Sequence, residues 1–219
     1  WITLQRVAIG TMVNMLLTIM IAYPLSKEVK AFRLRTVYVW VFVFTILFSG
    51  GLIPTYMTIR MTGLLDTIWA LILPGAVPVF NVILLLNFFR SLPKELEEAS
   101  FIDGAGHWTN MWRIVVPLSL PALATIALLT IVGHWNAWFD GIIYMNKPEH
   151  YPLSSYLQSI IIKLDFSHIK QEDAYHLQQI SNRTSKAAQI ILGSLPILIV
   201  YPFLQKYFVK GIVMGSVKE

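Results

Sequence analysis

The chain contains no cysteine, which excludes disulfide frameworks, thiolate metal sites and cysteine nucleophiles outright. Charge is scarce too: Asp, Glu, Lys and Arg make up 13% of the 219 residues, about half the share found in an average soluble domain. The five histidines, at 107, 134, 150, 168 and 176, form no i, i+4 pair, so no metal site of the helical kind is expected. Period-two alternation over ten-residue segments is missing, which argues against a membrane barrel. The net charge of +5 comes without a basic, aromatic-interleaved patch, so it reads as basic loops of a membrane protein rather than as a nucleic-acid surface.

What is present is apolar. Hydrophobic residues make up 56% of the chain and the mean hydropathy is +0.62. A soluble core cannot hide so much apolar surface in a chain of this size. The class is an all-α, polytopic integral membrane protein. A spanning helix needs about 20 mostly apolar residues, and five uncharged runs qualify: 7–26, 36–59, 67–89, 114–139 and 187–205. The first is too long for a signal peptide and lacks a basic leader.

Lysine and arginine set the orientation. The loop 27–35, "KEVKAFRLR", holds the densest basic cluster in the chain. With that loop in the cytoplasm, the segment 90–113 and the tail 206–219 are cytoplasmic as well, while the 59–66 turn and the segment 141–186 face outside. Five spans then put Trp1 outside, and a full chain starting in the cytoplasm needs a sixth helix upstream. The spans are unusually rich in helix breakers: Pro24, Ser49-Gly50-Gly51 with Pro54, Pro74 and Pro78, Pro117 and Pro121, Pro196 and Pro202. Proline frees a backbone carbonyl that lipid cannot satisfy. Helices of this kind pack on protein or line a wet cavity, and a bundle of them bends, as a transporter does and a rigid anchor does not.

Between the third and fourth spans lies "ELEEASFIDGAGHWTNMWRIVVP", residues 95–117. Pro93 suits a helix start, and Glu95, Glu97 and Glu98 sit where the helix dipole favours negative charge. Leu92, Leu96, Ala99 and Ile102 form one apolar stripe. Asp103-Gly104 stops the helix, because glycine takes the left-handed position most cheaply. A second short helix is expected from His107, with Trp108 and Trp112 one turn apart and Pro117 opening the next span. An amphipathic hairpin that rests on lipid is usually basic, since the cytoplasmic leaflet is anionic. This one carries four acids against Lys94 and Arg113, which suits a docking knob for another protein. Glu95 and Glu97 read as a solvated face.

These residues resemble the EAA loop of bacterial ABC importer permeases, whose pattern is E-A-A, three residues, G, nine residues, then I-x-L-P. Glu98-Ala99-Ser100 stands for E-A-A, Gly104 follows at the required spacing, and Ile114, Val116 and Pro117 fill the last positions. Ser100 and Val116 depart from the pattern. "PKELEEASFIDGA", "GLLDTIWALILPGAV" and "QKYFVKGIVMGSVKE" are similar to the maltose-permease-like carbohydrate importers. "NAWFDGIIYM" and "YPLSSYLQ" look closest to the branch that imports oligosaccharides derived from polysaccharides, alginate-type acids among them.

The resemblance implies a single importer transmembrane domain over 1–219, with a cytoplasmic coupling hairpin at about 91–116. It implies no catalysis by this chain. ATP-Mg would be bound by two separate ATP-binding subunits, with a second permease alongside and an extracytoplasmic solute-binding protein delivering sugar to the bacterial inner membrane. Glu98, Ala99, Ser100, Asp103, Gly104, Ala105, Ile114 and Pro117 would serve ATPase coupling. The segment 141–186 would carry short helices and dock the binding protein. For the sugar pathway, Trp135, Asn136, Trp138 and Asp140 offer aromatic faces and polar groups, although they also suit an interfacial aromatic belt. Asn14, Asn81 and Asn87 lie inside spans, as pathway groups or as inter-helix hydrogen bonds. The alternative function is an ion-coupled secondary transporter, which calls for acids inside the spans; none lies within the five runs.

Overall fold

The computed structural model describes residues 1–164 together with 184, 187–188, 190–195, 198–199 and 201–202. The outer segment at 165–183 and the tail 206–219 lie outside the described residues, and the fifth expected span lies only partly within them. Among the described residues every regular element is helical. Among the described residues, helix α1 (Ile2–Ser26) is the one helix long and apolar enough by itself to cross a bilayer. At 1.5 Å per residue its 25 residues reach about 37 Å, more than the roughly 30 Å hydrocarbon core.

The other expected spans are broken. Among the described residues three helix pairs pass the same test jointly across breaks of at most four residues, giving up to four spans there if each pair is one span. The breaks fall at the breaker residues. Helix α2 (Arg35–Leu47) ends before Ser49-Gly50-Gly51, and α3 (Leu52–Met61) starts after Gly51 at φ 85°. Helix α4 (Ile68–Ile72) runs through a 3-10 turn holding Pro74 and stops, and α5 (Val79–Ser91) starts after Pro78. Pro24, by contrast, sits inside the last turn of α1, where only the helix end feels the missing N–H.

The chain divides into two compact units, and α1 contributes to both. One comprises Trp1–Thr11, Gly51–Pro74 and Thr130–Tyr201. Its core is Ile59, Ala70, Leu71, Tyr144 and Met145. Here α10 (Phe139–Tyr144) packs on α4 and on α11 (Leu153–Leu164). A Cβ at Gly141 would collide with Ser155 Oγ, so glycine permits this approach. The expected short helices of the outer segment are present as far as Leu164, as a 3-10 turn at Pro148–His150 and as α11.

The other unit comprises Met12–Gly50, Gly75–Leu129 and Pro202–Glu219. Its core draws Ile19, Ala22, Tyr23 and Leu25 from α1, and Val82, Leu85, Leu86 and Phe89 from one face of α5 at helical spacing. Within a bilayer such packing is held by van der Waals fit rather than by exclusion from water. Helix α2 has no buried residue. Its Trp40 is 67% exposed and its Leu47 71%. A soluble protein rarely leaves such a continuous apolar face bare.

Candidate functional site

The acidic hairpin is built in the second unit. Helix α6 (Lys94–Ile102) follows Pro93, whose fixed φ of −59° fits the entry. Its end is a Schellman motif: Gly104 at φ 81°, Gly104 N–H donating to Phe101 O at 3.0 Å and Ala105 N–H to Ser100 O at 2.9 Å. Helix α7 (His107–Asn110) then begins, as expected from His107. Trp108 and Trp112 meet edge to face, 6.0 Å apart.

The sequence expectation differs at Pro117. Helix α7 continues through a π turn, Met111–Val115, into α8 (Val116–Leu118), and the helical axis bends by 80° before α9 (Leu120–Asn136). Pro117 therefore ends the short leg rather than opening the long one. The cause is the pair Pro117 and Pro121, each lacking an N–H, so the helical ladder cannot run straight through Ser119.

Two sets of contacts fix the hairpin to the end of α1, and a third ties α5 and α2 to the same end. The first is a buried polar hub. Asn110, 0% exposed, donates from Nδ2 to Tyr23 OH at 3.1 Å, and its Oδ1 lies 3.1 Å from Ser100 Oγ. Ser100 has one hydroxyl proton, shared between Asn110 Oδ1 and Glu97 O at 2.8 Å. The second set is two ion pairs, Lys27 with Glu97 at 2.5 Å and Lys94 with Glu28. Glu97 is thus a contact, correcting its reading as a solvated face: Lys27 approaches across 70 positions, beyond the reach of any local pattern. Burial draws the Lys27 ammonium below its ordinary pKa, with Glu97 pulling the other way. The Lys94 ammonium holds the Glu28 carboxyl low, and Glu28 holds Lys94 high. Third, Arg90 donates to Leu25 O at 3.1 Å and Arg35 to Lys27 O at 2.8 Å.

Of the expected coupling residues, Glu98, Ala99, Asp103 and Gly104 are exposed on this knob, next to Ile102 at 86% exposure. Ser100 points inward to the hub, Ala105 serves the Schellman turn, Ile114 is half-buried, and Pro117 lies at the bend. The hub partners Tyr23 and Asn110 went unread in the sequence, which offers no signal for either beyond the departure of Ser100 from E-A-A.

In the first unit, Trp135, Asn136 and Trp138 line a cavity of about 210 Å³ together with Ser154 and Gln158. Trp135 Nε1 donates to Leu192 O at 2.8 Å. Asp140, expected beside them, does not line it. Its carboxylate is held by Arg6, which is 2% exposed and also donates to Ala137 O at 3.1 Å. A lone cation in a span needs a counter-charge, and that was the signal available for Arg6. Asn87 is exposed and Asn14 buried. Among the described residues no three His, Asp or Glu side chains gather as a metal site.

Broken apolar helices carrying an anchored, exposed helix–turn–helix knob define a membrane transport subunit. The sequence matches the family described as binding-protein-dependent transport system inner membrane component over residues 8–214, and the chain belongs to that family. Protein LplC of Bacillus subtilis is 44% identical over 211 residues, covering 96% of this chain and 70% of LplC. The polygalacturonan/rhamnogalacturonan transport system permease protein YtcP of the same organism is 43% identical over 213 residues, covering 96% of this chain and 73% of YtcP. A crystal structure of a bacterial ABC transporter involved in the import of the acidic polysaccharide alginate contains a chain of similar fold. It is 33% identical, with TM-score 0.78, over 94% of this chain and 73% of that one. The chain is accordingly an ABC importer permease, a non-enzymatic membrane subunit whose ATPase resides elsewhere. The ion-coupled alternative finds no support among these relatives.

Proposed function

We propose that this chain is one of two membrane-spanning halves of an importer that carries oligosaccharides across the bacterial inner membrane, with acidic sugars the favoured class. In this reading it is a multi-pass, single transmembrane domain with six helices in the full chain, and a solute-binding protein delivers the sugar. Two ATP-binding subunits hold ATP-Mg, and one of them receives the hairpin at about 91–116. Glu98 makes a charge-assisted bond to a basic residue of that subunit, and Gly104 lets the turn enter its cleft. Trp135, Asn136 and Trp138 offer the sugar two aromatic faces and an amide. The favoured class rests on YtcP and on the alginate transporter, both named for acidic polysaccharides.

The observation that carries the coupling reading is the contrast between the two sides of one short helix. Glu98 and Ala99 are exposed, while Ser100 is buried and tied to Asn110. A knob anchored by its back and bare at its front transmits a push as a rigid body. ATP-driven closure of the partner would then shift the spans between inward-open and outward-open populations. The test replaces Glu98 by Ala and Gly104 by Leu in the assembled importer. Both variants are expected to lose the ATP-binding subunit on purification, or to hydrolyse ATP without transport, while still inserting in the membrane. Wild-type transport by both would overturn the reading.

A further inference from the structure

Beside the hairpin lies a second feature, which shares Glu98 with the expected coupling surface. Between the basic loop, the end of α5 and α6 there is a cavity of about 470 Å³. Its lining includes five cations, Lys27, Lys30, Arg35, Arg90 and Lys94, and three carboxylates, Glu28, Glu97 and Glu98. Lys27 and Lys94 are neutralised by Glu97 and Glu28. Lys30, Arg35 and Arg90 remain against Glu98, and each guanidinium spends one nitrogen on a backbone carbonyl: Arg35 Nη1 on Lys27 O and Arg90 Nη2 on Leu25 O. Arg35 Nε is buried with no hydrogen-bond partner among the described residues. The charged neighbour that acts on Arg90 is Arg35, a like charge.

A half-buried Arg35 with a buried donor unused, beside an exposed Arg90 in a cavity whose five cations outnumber its three carboxylates, offers an anion charge-assisted bonds. The guanidinium fork matches phosphate oxygens bidentately. The place narrows the source. Arg35 opens α2, which packs on α5 and has no buried residue. Its exposed Tyr38 and Val41 give acyl chains a wall to lie against, and basic pockets between helices on the cytoplasmic side take anionic headgroups. We propose that Arg35 and Arg90 form a site for the phosphate of an anionic phospholipid headgroup, seated beside the coupling hairpin. The site rests on the cytoplasmic orientation read above only for which leaflet supplies the lipid.

The experiment uses the whole importer in nanodiscs made from equal parts phosphatidylglycerol and phosphatidylcholine, with the lipid retained after mild delipidation identified by mass spectrometry. Wild type is expected to retain phosphatidylglycerol selectively. Arg35→Gln and Arg90→Gln should each lower the selectivity about fivefold, the weight of one basic residue near a membrane surface. Arg90→Lys, which keeps the charge, should lose less and guards against a folding defect. Arg33→Gln, an exposed neighbour in the same loop, should leave selectivity unchanged. Equal selectivity in wild type and both glutamine variants would overturn the site, and so would an equal loss in Arg33→Gln. Inorganic phosphate alone abolishing the selectivity would keep the arginine pair and overturn the lipid as its source. Nanodiscs expose both faces, so these outcomes are independent of orientation, which cysteine labelling at Lys30 reads separately.

Discussion

Removing the centre of the polar hub is the sharpest test of how the hairpin is held. Asn110 is fully buried and joins Tyr23 and Ser100, both of which are also buried. Asn110→Leu keeps the branched outline in a somewhat larger side chain and deletes both polar ends. Ser100 keeps an alternative acceptor in Glu97 O at 2.8 Å, so its loss is small. Tyr23 OH does not, because His107 Nδ1 stands 3.5 Å away, too far for a good replacement bond. One buried hydroxyl left unsatisfied costs about 1–3 kcal/mol. A destabilisation of about 2 kcal/mol lowers the melting temperature of a chain this size by roughly 4–8 °C, read on the purified importer at one fixed scan rate, since membrane assemblies unfold irreversibly. Replacing both members, Tyr23→Phe with Asn110→Leu, removes the unsatisfied group and should recover most of that loss. The cycle should show a coupling of about 1–2 kcal/mol. If the two changes simply add, the hub does not hold the hairpin and the rigid-body argument fails. The transport assay adds a readout that stability alone does not move: sugar carried per ATP hydrolysed should fall in Asn110→Leu and return in the double variant.

Three further outcomes follow from the same geometry. A Cβ at Gly104 meets no atom of the described residues within 4 Å, so the position separates conformation from partner fit: Gly104→Asn tolerates positive φ and should leave the turn intact, yet still lower ATPase coupling, measured as transport per ATP. Asp140→Asn leaves the buried Arg6 without its counter-charge and should cost about 3–5 kcal/mol, Arg6→Gln leaves only the half-buried Asp140 and should cost less, and the pair of changes together should cost less than Asp140→Asn alone, by thermal unfolding of the complex. In the first unit, the hydrogen bond from His150 holds the Asp66 carboxyl below the usual carboxylate range, with Asn146 N–H and Lys147 helping against burial. A lowered folded-state pKa means the clasp's contribution is fully present above about pH 4, where a free aspartate is ionised. It is lost as the pH falls below that, so the protection of the Asn146 amide, its exchange measured against the intrinsic rate at each pH, should fall on acidification in wild type and show no such dependence in Asp66→Asn.

The parts of this chain that local rules govern were legible in its sequence. Asp103-Gly104 announced the helix stop, Ser49-Gly50-Gly51 and the proline pairs announced the breaks, and Trp108 and Trp112 fell one turn apart as their spacing required. Each depends on residues within about four positions. Pro117 was read one step short: a proline near a helix start was recognised, but a second at Pro121 turns the pair into a bend. What stayed hidden joins distant positions. Tyr23 and Asn110 are 87 residues apart, and Arg6 and Asp140 are 134 apart. No periodicity encodes such pairings, which are set by which helices pack together. The only traces were chemical: a serine where alanine is expected, and an unexplained arginine near the start of an apolar helix.

That arginine has a consequence for how the protein is made. Its carboxylate partner lies 134 residues downstream. At about 5–20 residues per second of synthesis, the first helix waits roughly 7–27 s before Asp140 leaves the ribosome. Throughout that interval a bare guanidinium costs about 2.5–3.5 kcal/mol at the bilayer centre, so the nascent helix keeps its arginine end at the headgroups by extending the side chain toward water. The depth of the first helix is therefore set twice during biogenesis, once by lipid alone and again when its partner arrives.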